Sequence, residues 1–205
     1  MSHDRLAPYR SRRDFRRSPE PRGERGRGGP WKKRNPIFVV QQHAASRLHF
    51  DFRLEIEGVL ASWAVPKGPS TDPREKRLAV RTEDHPLAYA DFEGVIPEQE
   101  YGGGAVVVWD AGPYRNLRAG KQGEESREMQ EALEEGHLEV WLEGRKLRGG
   151  YALHRARLGG RAENWLLVKM QDEAADARRN PVSTEPHSVL SGRTLAEVAR
   201  EEGPG

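Results

Sequence analysis

Residues 41–53, QQHAASRLHFDFR, decide how this chain is read. From His49 onward polar and aromatic side chains alternate: His49, Asp51 and Arg53 fall at i, i+2 and i+4, with Phe50, Phe52 and Leu54 between and after them. A period of two belongs to a β-strand with two unlike faces. The aromatic face is expected to pack on a core. The other face presents an imidazole, a carboxylate and a guanidinium at intervals of about 6.5–7 Å. Two such groups can converge on one metal ion, and the third then points at whatever that ion binds. His43 lies upstream behind a five-residue gap, long enough for a turn that returns it to the same face. Two histidines and one aspartate form a mixed nitrogen and oxygen set. That set suits a catalytic divalent ion with open positions better than a closed structural zinc site. An arginine beside a metal suits a phosphate, because the guanidinium fork bonds two oxygens while the metal takes a third.

The 205 residues suffice for one ordinary domain with tails. No run approaches the ~18 apolar residues of a membrane span. No leader-like apolar stretch opens the chain, so export is not expected. Cysteine is absent, which rules out disulfides and thiolate chemistry and fits a reducing cytosol. The 22 glycines and 14 prolines, set among short apolar runs, favour a turn-rich β architecture. The net charge of +2 hides an asymmetry: residues 1–36 hold 12 Lys/Arg against 4 Asp/Glu, and residues 37–205 hold 22 against 28. A basic arm on a mildly acidic body implies a polyanionic partner, or else a solvated tail.

Three regions follow. Residues 1–36 are rich in Arg, Gly and Pro and read as a largely irregular arm, in which RRDF and SPEP are more specific than the Gly/Arg run after them. Residues 37–172 read as the folded domain. IFVVQQH (37–43) is a strand. Residues 49–57 and 59–65 form a hairpin turning at Glu57-Gly58, and RLAVRTE (77–83) is a further strand. His85-Pro86 cannot lie inside a helix. YGGG (101–104) is no phosphate loop, because no Gly-Lys-Ser/Thr follows; it reads as a tight bend into a core strand. Residues 126–137 are the best helix: Ser126 can cap it, Met129 and Leu133 make an apolar stripe, and Gly136 sits at C′. A glycine-punctuated meander follows, in which Trp165, Leu167 and Lys169 share a face. His137 and His154 lack a carboxylate or histidine partner at ligand spacing and read as structural. Residues 173–205 read as a polar tail or linker, outside the core, with a Thr194/Glu197 capping box for one short helix.

Together QQHAASRLHFDFRLE, WAVPKGPS, EDHPLAYADFEGVIP, YGGGAVVVWD and WLLVK resemble the 3′-phosphoesterase domain of bacterial DNA ligase D and its stand-alone relatives, over about residues 9–172. RDF and SPEP in the arm are similar to that family's N-terminal signature. The resemblance implies a mainly β fold, a compact closed or nearly closed barrel with one flanking helix. It implies an enzyme of DNA repair by non-homologous end joining, which heals 3′ ends: a phosphodiesterase step removes a terminal ribonucleoside, and a phosphomonoesterase step then leaves a 3′-OH. Both steps depend on a divalent metal, typically Mn²⁺, with Zn²⁺ or Co²⁺ as other candidates. By motif match His43, His49 and Asp51 hold the metal, Arg53 and His85 contact the scissile phosphate, and Tyr89 sits beside them. Lys67, Arg77 and Glu83 match further positions lining the phosphate pocket. Arg13, Asp14 and Glu20 match arm positions linked to the diesterase step, and Gln41 a supporting one. A protonated His85 beside the phosphate is expected to stabilise its charge, and to protonate the leaving oxygen if the phosphate and Glu83 raise its pKa; a metal-bound water suits the monoesterase step, and a neighbouring ribose 2′-OH is a candidate participant in the diesterase step. The implied partners are 3′ ends in primer–template duplex, the ligase and polymerase modules of ligase D, and the Ku end-binding protein, for a cytoplasmic, nucleoid-associated monomer. A non-catalytic end-binding or docking module is the alternative, and a small-metabolite barrel hydrolase a weaker one. Gln99 stands where that family is expected to have glycine, and would be strained if the turn needed a positive φ.

Overall fold

A computed structural model describes residues 4–23, 35–118, 125–156 and 163–203. Among the described residues ten antiparallel strands are formed, and eight of them close on one another. β1 (Ile37–Ala44), β2 (Leu48–Ile56), β3 (Val59–Val65) and β4 (Lys76–Arg81) run in order. β4 pairs with β10 (Asn164–Lys169), which pairs with β9 (Arg148–Arg155), then β8 (His137–Glu143), then β7 (Gly104–Asn116). β7 pairs back onto β1 and completes a barrel. The short strands β5 (His85–Pro86) and β6 (Gly94–Ile96) hang on β3 and β7. Mainly β is the architecture the composition favoured, and a closed or nearly closed barrel the one the family resemblance implied.

The alternation of polar and aromatic residues over 49–54 separates the two surfaces of the barrel wall. Phe38 and Val40 of β1, Phe50, Phe52, Leu54 and Ile56 of β2, and Ala61, Trp63 and Val65 of β3 join one buried cluster that all eight ring strands feed. This is the barrel interior, with Trp63 edge-on to Trp165 at 5.5 Å. Helix α2 (Glu125–Glu135) adds Met129, Ala132 and Leu133 to it. Gly136 ends that helix at φ +87°, its N–H donating to Ala132, as a C′ glycine should. The side chain of Ser126, the expected cap, lies outside the described residues. The hairpin turn is also as read: Glu57 and Gly58 both take positive φ, 50° and 77°, the conformation of a tight two-residue turn. Glu57 is the sole non-glycine with positive φ among the described residues, so Gln99 is not strained.

Residues of the opposite parity in β1 to β3 face outward, yet β1 is buried on both sides up to His43. Two segments roof it. The 3₁₀ turn Leu87–Asp91 and the arm helix α1 (Ala7–Ser11) pack Tyr89, Ala90 and Tyr9 against Val39, Leu60 and Val108. Residues 4–23 of the arm are therefore more ordered than its composition implied. It has almost no aliphatic residues, and an aromatic ring with polar anchors holds it instead: Tyr9 is fully buried and its hydroxyl donates to the Pro21 carbonyl at 2.7 Å.

Residues 173–203, read as a tail outside the core, lie against the barrel as a strap. Helix α3 (Pro181–Thr184) sets Val182 against the interior cluster. The Glu185 carbonyl accepts from Trp109 Nε1 at 2.8 Å, and Val189 N–H donates to Val108 at 2.9 Å. Helix α4 (Leu195–Glu202) carries the expected Thr194–Glu197 capping box and buries Val198 with Ala105 and Val107. One apolar residue per turn was too weak a stripe to announce this docking.

The YGGG bend is as tight as it read. A Cβ on Gly103 would lie 2.6 Å from the Pro97 carbonyl oxygen, and one on Gly104, at φ +139°, would lie 2.0 Å from the Ala44 carbonyl oxygen of β1. Gly104→Ala is expected to lower unfolding stability by about 2–3 kcal/mol, read as a shift in the urea midpoint. An unchanged midpoint would mean that β1 and β7 can separate at that end without cost.

Candidate metal and phosphate centre

The polar row of β2 stands on the outer face, under the roof. Antiparallel register brings His43 directly opposite His49, and Gln41 opposite Asp51, so the turn at 45–47 does return His43 to the shared face. Nitrogen and oxygen atoms of His43, His49 and Asp51 lie within 4.8 Å of one another. His43 Nδ1 is 3.5 Å from Asp51 Oδ2, and His49 Nε2 is 3.7 Å from Oδ1.

The second nitrogen of each ring tests whether this set fits a metal. His43 Nε2 lies 2.7 Å from the Gly102 carbonyl, and His49 Nδ1 lies 3.0 Å from the Arg47 carbonyl. A carbonyl only accepts, so in the neutral rings those nitrogens carry the protons. The remaining lone pairs, on Nδ1 of His43 and Nε2 of His49, converge on the carboxylate. Outer hydrogen bonds that fix the tautomer and orient the ring are the usual support of a metal-binding histidine. The donors therefore fit a divalent cation held by two nitrogens and a carboxylate.

Arg53 continues the row and organises its neighbours. It is 2 % exposed. Nε donates to Gln41 Oε1 at 2.8 Å, Nη1 to Ser62 Oγ at 2.8 Å, and Nη2 lies 3.2 Å from Asp51 Oδ2. A guanidinium has five N–H donors, so capacity remains for an anion. Gln41 is fixed in turn, its amide donating to the Tyr89 and Phe92 carbonyls at 3.0 Å each. Burial would raise the Asp51 carboxyl, but Arg53, His43 and His49 outweigh it and hold it well below the ordinary carboxylate value. Burial would lower His49, but its hydrogen bond and charge contact with Asp51 raise it above the usual imidazole value.

The arm closes the other side. Arg13 is stacked 3.9 Å from the Tyr9 ring centre, and bonds Glu20 through Nε at 2.8 Å and Glu83 through Nη1 at 3.1 Å. Its Nη2 meets His85 Nε2 at 3.2 Å, while His85 Nδ1 faces the Glu83 carbonyl at 2.9 Å. Arginine cannot accept, so Nε2 carries the lone pair and His85 is neutral. Burial, Arg53 and Arg13 all push its pKa well below the ordinary value. Two cations thus keep His85 neutral in the free protein, and the protonated state expected from sequence is one that a bound phosphate would have to induce. Tyr89 donates to Glu20 Oε1 at 3.1 Å, and burial raises its hydroxyl well above the usual phenol value.

One cavity of about 310 Å³ is lined by Arg13, His43, His49, Asp51, Arg53, Glu83, His85 and Tyr89. Gln41 and Glu20 support that lining without reaching the cavity. Three other candidates stand away from it. Asp14 is exposed and takes the Arg16 N–H at 3.0 Å. Lys67 is exposed on the loop after β3. Arg77 pairs with Glu75 at 2.6 Å and shares the inward parity of Ala79. The β3–β4 ladder is two pairs long, Trp63 with Arg81 and Ala64 with Val80, and the chain turns after Val65, where Gly68 N–H donates to the Val65 carbonyl at 3.0 Å. Ser62 escaped the sequence reading although it is fully buried between Arg53 and His85; the signal was a lone hydroxyl in the otherwise apolar strand VLASWAV. His137 and His154 require a correction. They are cross-strand partners with ring centres 4.3 Å apart, and Glu139 Oε1 is 2.9 Å from His137 Nε2. Sequence separation concealed the histidine pairing, whereas Glu139 stood two positions from His137; the pair lies outside the cavity.

Residues 41–155 match the family described as the DNA Ligase D 3'-phosphoesterase domain. The chain is 50 % identical over 194 residues to the multifunctional non-homologous end joining protein LigD of Pseudomonas aeruginosa, covering 93 % of this chain and 22 % of that protein. It is 42 % identical over 175 residues to the protein of that name from Mycolicibacterium smegmatis, covering 83 % and 21 %. It is 39 % identical over 170 residues to the multifunctional non-homologous end joining DNA repair protein LigD of Mycobacterium tuberculosis, covering 83 % and 20 %. The chain spans about a fifth of the length of these relatives.

Because His49 is raised, a proton competes with a cation there into the neutral range. Divalent-ion affinity should therefore rise with pH through that range, falling about tenfold per unit on the acid side, with one proton released on binding. Calorimetry in two buffers of different ionisation enthalpy reads this directly; binding without proton release would remove His49 from the ligand set.

Proposed function

Since the chain belongs to the DNA ligase D 3′-phosphoesterase domain family, we propose that it is a metal-dependent phosphoesterase that heals DNA 3′ ends. It removes a 3′-terminal ribonucleoside and then the 3′-phosphate left behind, giving a 3′-OH on which a ligase or polymerase can act. The observation that carries this reading is the convergence of three metal donors and a buried arginine with spare N–H groups on one cavity.

His43, His49 and Asp51 hold the cation, for which we propose Mn²⁺. Bound there, it supplies positive charge to polarise the phosphoryl group. Arg53, pre-oriented by Gln41 and Ser62, bonds the nonbridging oxygens and meets the charge that grows on them at little reorganisation cost. Arg13 and His85 face the opposite side of the phosphate. A dianion seated there would draw the His85 pKa upward and make it an acid for the leaving oxygen. Tyr89 and Glu20 keep Arg13 in place, which gives the arm its part in the diesterase step. Lys67 and Arg77 are proposed to meet the phosphate of a neighbouring nucleotide, and Asp14 to fix the turn of the arm.

The test is a duplex primer ending in one ribonucleotide, incubated with and without Mn²⁺, with products resolved on a gel. The expected order is loss of the ribonucleoside, a transient 3′-phosphate, then a 3′-OH. His49→Ala should slow both steps by about 10²-fold or more. Activity retained in that variant would refute the site, and salt-sensitive binding with no turnover in the parent protein would favour the docking module.

A further inference from the structure

The mouth of the cavity carries an aromatic ring that none of the steps above uses. Tyr101 is 48 % exposed and lines the same cavity as the metal donors. It is nevertheless held in place. Arg12 Nη1 donates to its hydroxyl at 3.0 Å and to Glu83 Oε2 at 2.9 Å. The guanidinium carbons of Arg12 and Arg13 lie 5.2 and 5.5 Å from its ring centre. The next residue, Gly102, turns at φ +77° and accepts from His43 through its carbonyl. One bend thus fixes both a metal-binding imidazole and an open ring.

We propose that Tyr101, with Arg12 beside it, is a stacking platform for the base of the 3′-terminal nucleoside. This rests on the phosphoesterase reading above and deepens it. A nucleoside whose phosphate lies at Arg53 must project its sugar and base toward the cavity mouth, because the floor is closed by β1 to β3 and the sides by the arm and the Leu87–Asp91 turn. At the mouth a base meets an aromatic face already polarised by cations. The cavity, about 310 Å³, is at the small end of ligand sites and leaves the base to bind at the rim. Every base has a π-face, so such a platform favours any base over none and discriminates weakly among bases. Arg12 adds a cationic plane that also stacks on bases.

The experiment uses a 3′ end whose terminal nucleoside is fluorescent 2-aminopurine, which is quenched when stacked, alongside an otherwise identical end that is abasic. The parent protein should quench the probe. Tyr101→Phe, which loses the Arg12 hydrogen bond but keeps the ring, should quench it as well, and Tyr101→Ala should not. The KM preference for the base-bearing end over the abasic one should fall about tenfold in Tyr101→Ala and persist in Tyr101→Phe. Quenching by Tyr101→Ala equal to the parent, or equal loss of affinity for both ends in a variant whose thermal melt is unchanged, would overturn the platform. Quenching without any product from the parent protein would support the platform while removing the phosphoesterase reading. No binding of either end would overturn the platform too.

Discussion

The site depends on a guanidinium kept out of water on the outside of a barrel. Arg53 belongs to the face of β2 that would ordinarily be wet, and there its charge would be screened and its geometry loose. The roof of Tyr9, Tyr89 and Ala90 removes that water. Burying the cation is tolerable because each edge of the fork has a partner: Gln41, Ser62 and Asp51. The consequences run outward from it. Asp51 stays ionised and available as a donor, and His85 is driven neutral. The same charge that would hold a phosphate therefore sets the protonation of the groups around it.

The arm matters for the same reason. A barrel with both wall surfaces apolar could do no chemistry on its outer face, and one with a bare polar outer face would have no low-dielectric pocket. Arg13 bridges the two conditions. It is fixed by stacking on Tyr9 and by ion pairs to Glu20 and Glu83, and it presents Nη2 to His85. The basic composition of the arm says nothing of this, because what places Arg13 is its stacking on Tyr9 and its pairs with Glu20 and Glu83.

The parts legible in the sequence were those with local periodicity or tight turn chemistry. The HFDFR alternation gave the wall and its two faces, Glu57-Gly58 the hairpin, Gly136 the end of α2, and YGGG the bend. What stayed hidden depended on contacts between distant segments. Ser62 becomes significant only when β2 and β3 are in register, and His137 finds His154 only across β8 and β9. The strap at 173–203 has a single fully buried apolar residue in α4 and looked like solvent-exposed chain. The charge state of His85 could not be read from its neighbours in sequence, because the cations that suppress it come from β2 and the arm.

The glycine bend has one further consequence, for variation among related chains. Positions 103 and 104 admit no side chain without displacing backbone, and Gly102 holds an imidazole through its carbonyl. That stretch of wall is closed to change by its own geometry. Residues 98–101, which turn in front of it, carry no such restriction. Substitution there would accordingly leave the bend, and the imidazole it holds, in place.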